Sequence, residues 1–197
     1  MTQFEGRISD HPVADLILER WSPRAFTGEA IPAAALASLF EAARWAPSSY
    51  NSQPWRFVYA RRDTPAWQKF LGLLVEFNQG WAKDAAVLII AISKTTMTLP
   101  NGQVVPSHSA SFDTGAAWEN LALQATLNGW HAHGMIGLDL ARAATELSIP
   151  DGYRVEAAIA VGRKGDKSSL SETLQARETP SPRAPVASFA FEGNFAA

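Results

Sequence analysis

Two short stretches of this chain hold the side chains best suited to binding chemistry. The first is R-W-S-P-R at 20–24. It gathers two guanidiniums and a hydroxyl within five residues, and Pro23 should break any helix that arrives there. A guanidinium is a rigid fork of donors matched to phosphate, and a serine hydroxyl adds a small donor. Surface arginines pairing with Glu19 or Glu29 would read the same way. The second stretch is P-S-S-Y-N-S-Q-P-W at 47–55. Pro47 and Pro54 bracket Ser48, Ser49, Asn51, Ser52 and Gln53. Proline fixes φ and pushes the preceding residue toward extended backbone, so a loop of defined shape is expected. Such a loop can offer donors and acceptors to a flat polar ligand. It serves equally as a polar turn whose amides satisfy only the local backbone.

Other candidates are weaker. Gly134 and Gly137 surround Met135-Ile136, and glycine lets a backbone approach a ligand closely. His131 and His133 alternate onto one face of an expected strand, a spacing metals use. Two histidines make half a site and no carboxylate cluster partners them, so no metal is expected. Ser107, His108 and Asp113 are close in sequence, but the G-x-S-x-G elbow of a hydrolase is missing. No G-x-G-x-x-G exists for capture of a dinucleotide pyrophosphate.

The elements that must position these residues follow from apolar spacing. A first helix is expected over 12–20, with Val13, Leu16, Ile17 and Arg20 on one stripe and Asp10 as its cap. A second opens at Pro32, carries Leu36, Leu39, Phe40 and Ala43, and delivers the 47–55 loop. Residues 57–61 read as a strand and 64–75 as a third helix, followed by a polar connection over 78–83. The unbroken run 85–92 suits a central strand covered on both faces. Residues 93–111 form a long loop, a candidate lid or dimer contact. The helix over 112–128 is apolar nearly all round and should be buried on most faces, with Gly129 ending it. A strand over 130–136, a short helix over 138–147 and an internal strand over 155–161 complete the pattern. Helices and strands do not strictly interleave, which favours an α+β fold: a mixed sheet flanked by helices.

Composition sets the outer bounds. The 197 residues suit one domain over 1–197, with 1–11 and 190–197 as peripheral arms. A hydrophobic content of 47% supplies a core, and a net charge of −2 without a Lys/Arg cluster argues against nucleic acid. The chain lacks cysteine, which excludes thiol chemistry and disulfides and fits a reducing, cytoplasmic setting. No apolar run approaches the roughly 20 residues of a membrane helix. Seven tryptophans and ten phenylalanines favour interfaces and flat-ligand pockets.

Read together, the two stretches resemble the nitroreductase family of FMN-dependent oxidoreductases. Asp113-x-Gly115 leading to Gly129, Met135-Ile136-Gly137-Leu138-Asp139, and Ala158-Ile159-Ala160-Val161-Gly162 extend the resemblance across nearly the whole chain. The resemblance implies a homodimer with FMN in a cleft at its interface. It implies that hydride passes from NADH or NADPH to flavin N5 and on to a nitroaromatic, quinone or similar electron-poor acceptor. One site used twice makes the kinetics ping-pong. By the same resemblance Arg20, Ser22 and Arg24, with Trp21 between them, belong to the set holding the ribityl phosphate and pyrimidine side. Asn51, Gln53 and the backbone of Pro47, Ser48 and Ser49 would border the isoalloxazine, from the same or the partner subunit. The backbone of Ile136 and Gly137 would lie near N5 and O4, and Arg183 would complete the phosphate site. The cofactor carries the redox chemistry, so no protein acid or base is assigned as catalytic. Two departures stand out. Many relatives carry an acidic residue where Ile136 stands, and no second basic residue neighbours Arg183 at 181 or 182. A flavin-binding sensor without turnover, and a flavin-consuming or dehalogenating relative, remain alternatives.

Overall fold

A computed structural model of the chain describes residues 3–195. The core is a four-stranded sheet in the order β3 (Trp55–Arg61), β4 (Val87–Lys94), β8 (Tyr153–Gly162), β7 (His131–Met135). Every pairing in it is antiparallel. Ahead of the sheet in sequence, β1 (Gln3–Phe4) and β2 (Arg7–Ile8) form a small hairpin. Its turn holds Glu5 at φ 40 and Gly6 at φ 82, the doubly positive pair that two-residue hairpins prefer.

β4 explains the two-layer cover. Seven consecutive residues, Val87 to Ser93, are buried. Leu88, Ile90 and Ile92 point to one face, where Trp67 and Phe70 of α3 (Trp67–Gly72), Trp81 of α4 (Glu76–Ala82) and Ala143 of α6 (Leu140–Glu146) cover them. Val87, Ile89 and Ala91 point to the other. There Leu36, Leu39 and Ala43 of α2 (Ala33–Arg44) and Ala117, Leu121 and Ala125 of α5 (Ala110–Leu127) close the core. The period of two along the strand, with an apolar stripe from each helix, gives the α+β architecture with flanking helices that the sequence implies, with a sheet that is antiparallel throughout where a mixed one is expected.

Several elements differ from their sequence expectation. α1 spans only Asp15–Glu19, begins at Ala14 without a side-chain cap, and leaves Ile17 half exposed. Asp10 does not cap it; its carboxylate accepts from the Val186 N–H at 2.9 Å. The third helix stops at Gly72, and the stretch expected as a polar connection is α4 instead. Asn78, Trp81 and Ala82 are its buried face, a one-sided stripe that the neighbouring polar residues conceal. The expected loop 93–111 contains a two-stranded ribbon, β5 (Thr96–Thr98) against β6 (Val104–Pro106). α5 is covered on one face only: Phe112 is 81% and Leu127 64% exposed. An all-round apolar helix needs cover on several sides, and one chain supplies a single sheet. Beyond the sheet, α7 (Glu172–Gln175) leads into residues 181–195, which are exposed throughout. No helix among the described residues is long and apolar enough to cross a membrane.

Candidate active site

α1 ends at Arg20, whose backbone is already extended (φ −64, ψ 118). The following turn lies against the end of the sheet because its apolar members are buried: Trp21 is 5% and Ala25 1% exposed, and Pro23 is fully enclosed. Trp21 meets His131 edge-on at 6.4 Å, and the Lys164 ammonium stands 5.3 Å from its ring. Two polar groups, the half-buried His133 and the buried Glu178, fix the backbone of this turn. His133 Nδ1–H donates to the Pro23 carbonyl at 2.9 Å, a role that sets its tautomer because a carbonyl can only accept. Glu178 Oε1 accepts from the N–H groups of Arg24 and Ala25 at 2.7 and 2.8 Å. Its Oε2 has no hydrogen-bond partner among the described residues, and Arg24 Nη1 is 3.9 Å away.

A cavity of about 350 Å³ opens beside this turn. Five guanidiniums line it: Arg7, Arg20, Arg24, Arg177 and Arg183. Trp21 and His133 complete the wall, and Ser22, Thr179 and Ser181 add hydroxyls. Among the described residues no carboxylate is in the lining. Arg24 leans on the buried Glu178, and Arg20 on Glu119 of α5 at 3.6 Å. The alternative pairings with Glu19 and Glu29 do not form; Glu29 pairs with Arg163 instead. Burial, then the positive charges of Arg183 and Arg20, hold the Arg7 guanidinium below its ordinary range. Burial also lowers Arg24, opposed by Glu178 and aided by Arg177. Like charges are thus gathered against their mutual repulsion, an arrangement that a dianion relieves. Planar donor forks and short hydroxyls are the donor set for a phosphate, so the residues present fit the terminal phosphate of FMN.

The 47–55 loop lies elsewhere on the same chain. Ser49 N–H donates to Asp113 Oδ2 at 3.2 Å, and Ser109 Oγ donates to the same oxygen at 2.9 Å, tying the loop to α5. Tyr50, Asn51 and Gln53 all have positive φ (52, 51 and 45). Three non-glycine residues in the left-handed region within four positions is strain of the kind that collects at binding sites. Part of the loop serves itself: Gln53 N–H donates to Ser48 Oγ, and Gln53 Nε2 to the Asn51 carbonyl. The Asn51 side-chain amide stays uncommitted among the described residues. Within one chain the cavity therefore joins Arg20, Trp21, Ser22, Arg24 and Arg183. It does not include Pro47, Ser48, Ser49, Asn51 or Gln53.

Ile136 and Gly137 follow directly on β7, whose His133 lines the cavity. Three residue steps of extended chain separate His133 from Ile136, about 10 Å. Ile136 is 87% exposed. The Gly137 carbonyl accepts from Val75 N–H and from Asn78 Nδ2, both at 3.0 Å. A Cβ at 137 would lie 2.4 Å from that same Nδ2, so the buried Asn78 requires glycine here. Among the described residues neither the Ile136 nor the Gly137 N–H has an acceptor. This segment, which is not part of the cavity lining, offers two backbone donors without acceptors among the described residues, held in place by α4.

Sequence reasoning misses Arg7, Arg177, Thr179, Ser181 and Asn78 as contributors, and considers His133 only for metal. Arg7 and Ser181 are 174 positions apart, and nothing local marks either. Arg183, which has no basic neighbour at 181 or 182, is joined in space by Arg177 and Arg7.

The model of the nitroreductase family matches residues 17–70 and 60–163. A solved structure of an oxidoreductase containing FMN is 50% identical and superposes with a TM-score of 0.96, covering 100% of this chain and 99% of that one. A putative NAD(P)H nitroreductase of Bacillus subtilis, YfhC, is 38% identical over 65 residues, 32% of this chain and 33% of that protein. An uncharacterized 15.4 kDa protein of Mycolicibacterium smegmatis is 36% identical over 87 residues, 44% of this chain and 58% of its own length. The chain thus spans little more than half, and a third, of these two curated relatives.

Proposed function

The chain belongs to the nitroreductase family, and on that premise we propose that it is an FMN-dependent oxidoreductase. The proposed donor is NADH or NADPH, and the proposed acceptor a nitroaromatic, quinone or similar electron-poor molecule. One observation carries this reading: five guanidiniums and three hydroxyls converge on a cavity with no carboxylate in its lining among the described residues. When bound, FMN supplies the redox chemistry, taking two electrons from the nicotinamide and passing them to the acceptor. The protein binds and orients. Arg20, Ser22, Arg24 and Arg183 would hold the phosphate with charge-assisted bonds, while Trp21 anchors the turn that carries the first three. The free N–H groups of Ile136 and Gly137 would face the ring, where donors stabilise added negative charge.

A homodimer is part of the proposal. Trp45 is 72%, Tyr50 67% and Phe112 81% exposed around the end of α2, the strained loop and the start of α5. Exposed aromatics in this number mark an interaction surface. A second copy seated there would let the Asn51 amide and the Pro47-Ser48-Ser49 backbone border a flavin held by its partner, which a single chain does not arrange.

The test is spectroscopic. The purified protein should be yellow, or become so with added FMN, and should bleach with NADH or NADPH under nitrogen. A colourless protein that ignores FMN removes the reading. Bound FMN that resists reduction favours a sensor, and flavin breakdown or halide release under oxygen favours the flavin-consuming or dehalogenating alternative.

A further inference from the structure

Arg7 is 7% exposed, and three backbone carbonyls from two distant parts of the chain hold it. Its Nη1 donates to the carbonyls of Leu18 and Arg20 at 2.8 and 2.7 Å, and its Nε to the Ser181 carbonyl at 3.1 Å. The first two belong to the end of α1, from which Arg20 and Ser22 enter the cavity. The third belongs to the turn that presents Arg183, whose Nη1 also bonds the Ser181 carbonyl and Oγ. Both β2, which carries Arg7, and the 177–183 segment lie outside residues 17–163, where the family model matches. They nevertheless supply half of the cavity wall.

We infer that Arg7 is a positioning residue for the phosphate end of the cofactor: it clasps the Arg20 wall to the Arg183 wall and so sets the spacing between their guanidiniums. The inference rests on the FMN reading above. A buried cation beside two others is costly, and three carbonyls only partly offset that cost. Were fastening the chain ends its whole purpose, an apolar side chain would serve at lower cost, whereas a cation here also adds to the field that draws an anion. Asp10, which accepts from Val186 N–H, already gives these segments a second tie.

The experiment compares FMN with riboflavin, which has the same ring and ribityl chain but no phosphate. Dissociation constants for both are measured by fluorescence quenching for the wild-type protein, Arg7→Gln and Arg7→Lys. Arg7→Gln should weaken FMN by roughly tenfold or more, on the scale of one charge-assisted contact, while riboflavin changes by less than about twofold. Arg7→Lys, which keeps the charge but cannot span all three carbonyls, should fall between. If Arg7→Gln does not fold, the same ratio in Arg7→Lys decides. An unchanged FMN-to-riboflavin ratio, with both ligands weakened alike or neither weakened, overturns this inference alone. Wild-type protein with no preference for FMN over riboflavin overturns both this inference and the functional reading.

Discussion

Replacing Glu178 tests whether a buried acceptor organises the cation-rich turn. Glu178 is 8% exposed, and its Oε1 accepts two backbone N–H groups, one of them on Ala25, itself 1% exposed. Glu178→Ala strands both donors and removes the counter-charge of Arg24. A buried donor left without an acceptor costs about 1–3 kcal/mol, and breaking one side of a buried pair costs about 3–5 kcal/mol in all. In a chain of this length that is roughly a 6–20 °C fall in Tm. Glu178→Gln keeps an oxygen where Oε1 stands and loses only the charge, so about 1–2 kcal/mol is expected. Urea unfolding of the apo protein reads both variants, with an unchanged m-value as the sign that only stability has moved. The two variants should also part in binding. Gln removes a negative charge beside the cavity and should leave FMN affinity equal or tighter, while Ala lets the turn relax and loosens it. Ala and Gln variants equal in stability within about 0.5 kcal/mol would refute the claim that the two amide bonds matter.

Three further outcomes are expected. Arg20→Ala and Arg24→Ala should each weaken FMN by roughly 1.5–3 kcal/mol, the scale of a hydrogen bond to a charged group; titration showing both unchanged would remove them from the phosphate site. Gly137→Ala drives a Cβ to 2.4 Å from Asn78 Nδ2 and 3.0 Å from Val75 Cγ2. It should cost about 1–3 kcal/mol by displacing the Asn78 amide from the 137 carbonyl, and thermal unfolding checks this. Burial, then the nearby Lys164, depresses His131 to about 4, with Arg163 adding to and Glu5 opposing the shift. A histidine depressed on folding binds protons more readily when unfolded, so stability should fall as pH drops from about 6.5 toward 4, then level off. His131→Phe should flatten that slope by on the order of 1–2 kcal/mol, after allowance for partial solvent access; an unaltered slope in chemical denaturation would shift the cause to other groups.

The parts of the fold legible in the sequence are those with strong local periodicity. The run ending at Ile92 is buried on both faces, and Leu36, Leu39 and Ala43 of α2 face the core. R-W-S-P-R is legible as a candidate anion site because its two arginines and its serine fall within five residues, and the fold brings them to one cavity. What stays hidden depends on distant contacts or mixed composition. α4 reads as a connection because Asn78, Gln79 and Gly80 outnumber the Trp81 and Ala82 that bury it. Arg7 and Arg177 lack any local mark, since the ends of the chain meet only in three dimensions. Asp10 looks like a helix cap by position, yet α1 begins five residues later, and its carboxylate serves Val186. The exposed flank of α5 shows the limit from the other side: hydrophobicity signals that a surface wants cover, not which molecule provides it.

β7 also works as a ruler. Its five residues are laddered to β8, from His131 opposite Gly162 to Met135 opposite Ala158, so its length cannot breathe as a loop would. One graduation falls at the cationic cavity and another at the free amides beyond Met135. Any ligand engaging both marks must match a span fixed by covalent geometry, and analogues with a shorter or longer tether would forfeit one end.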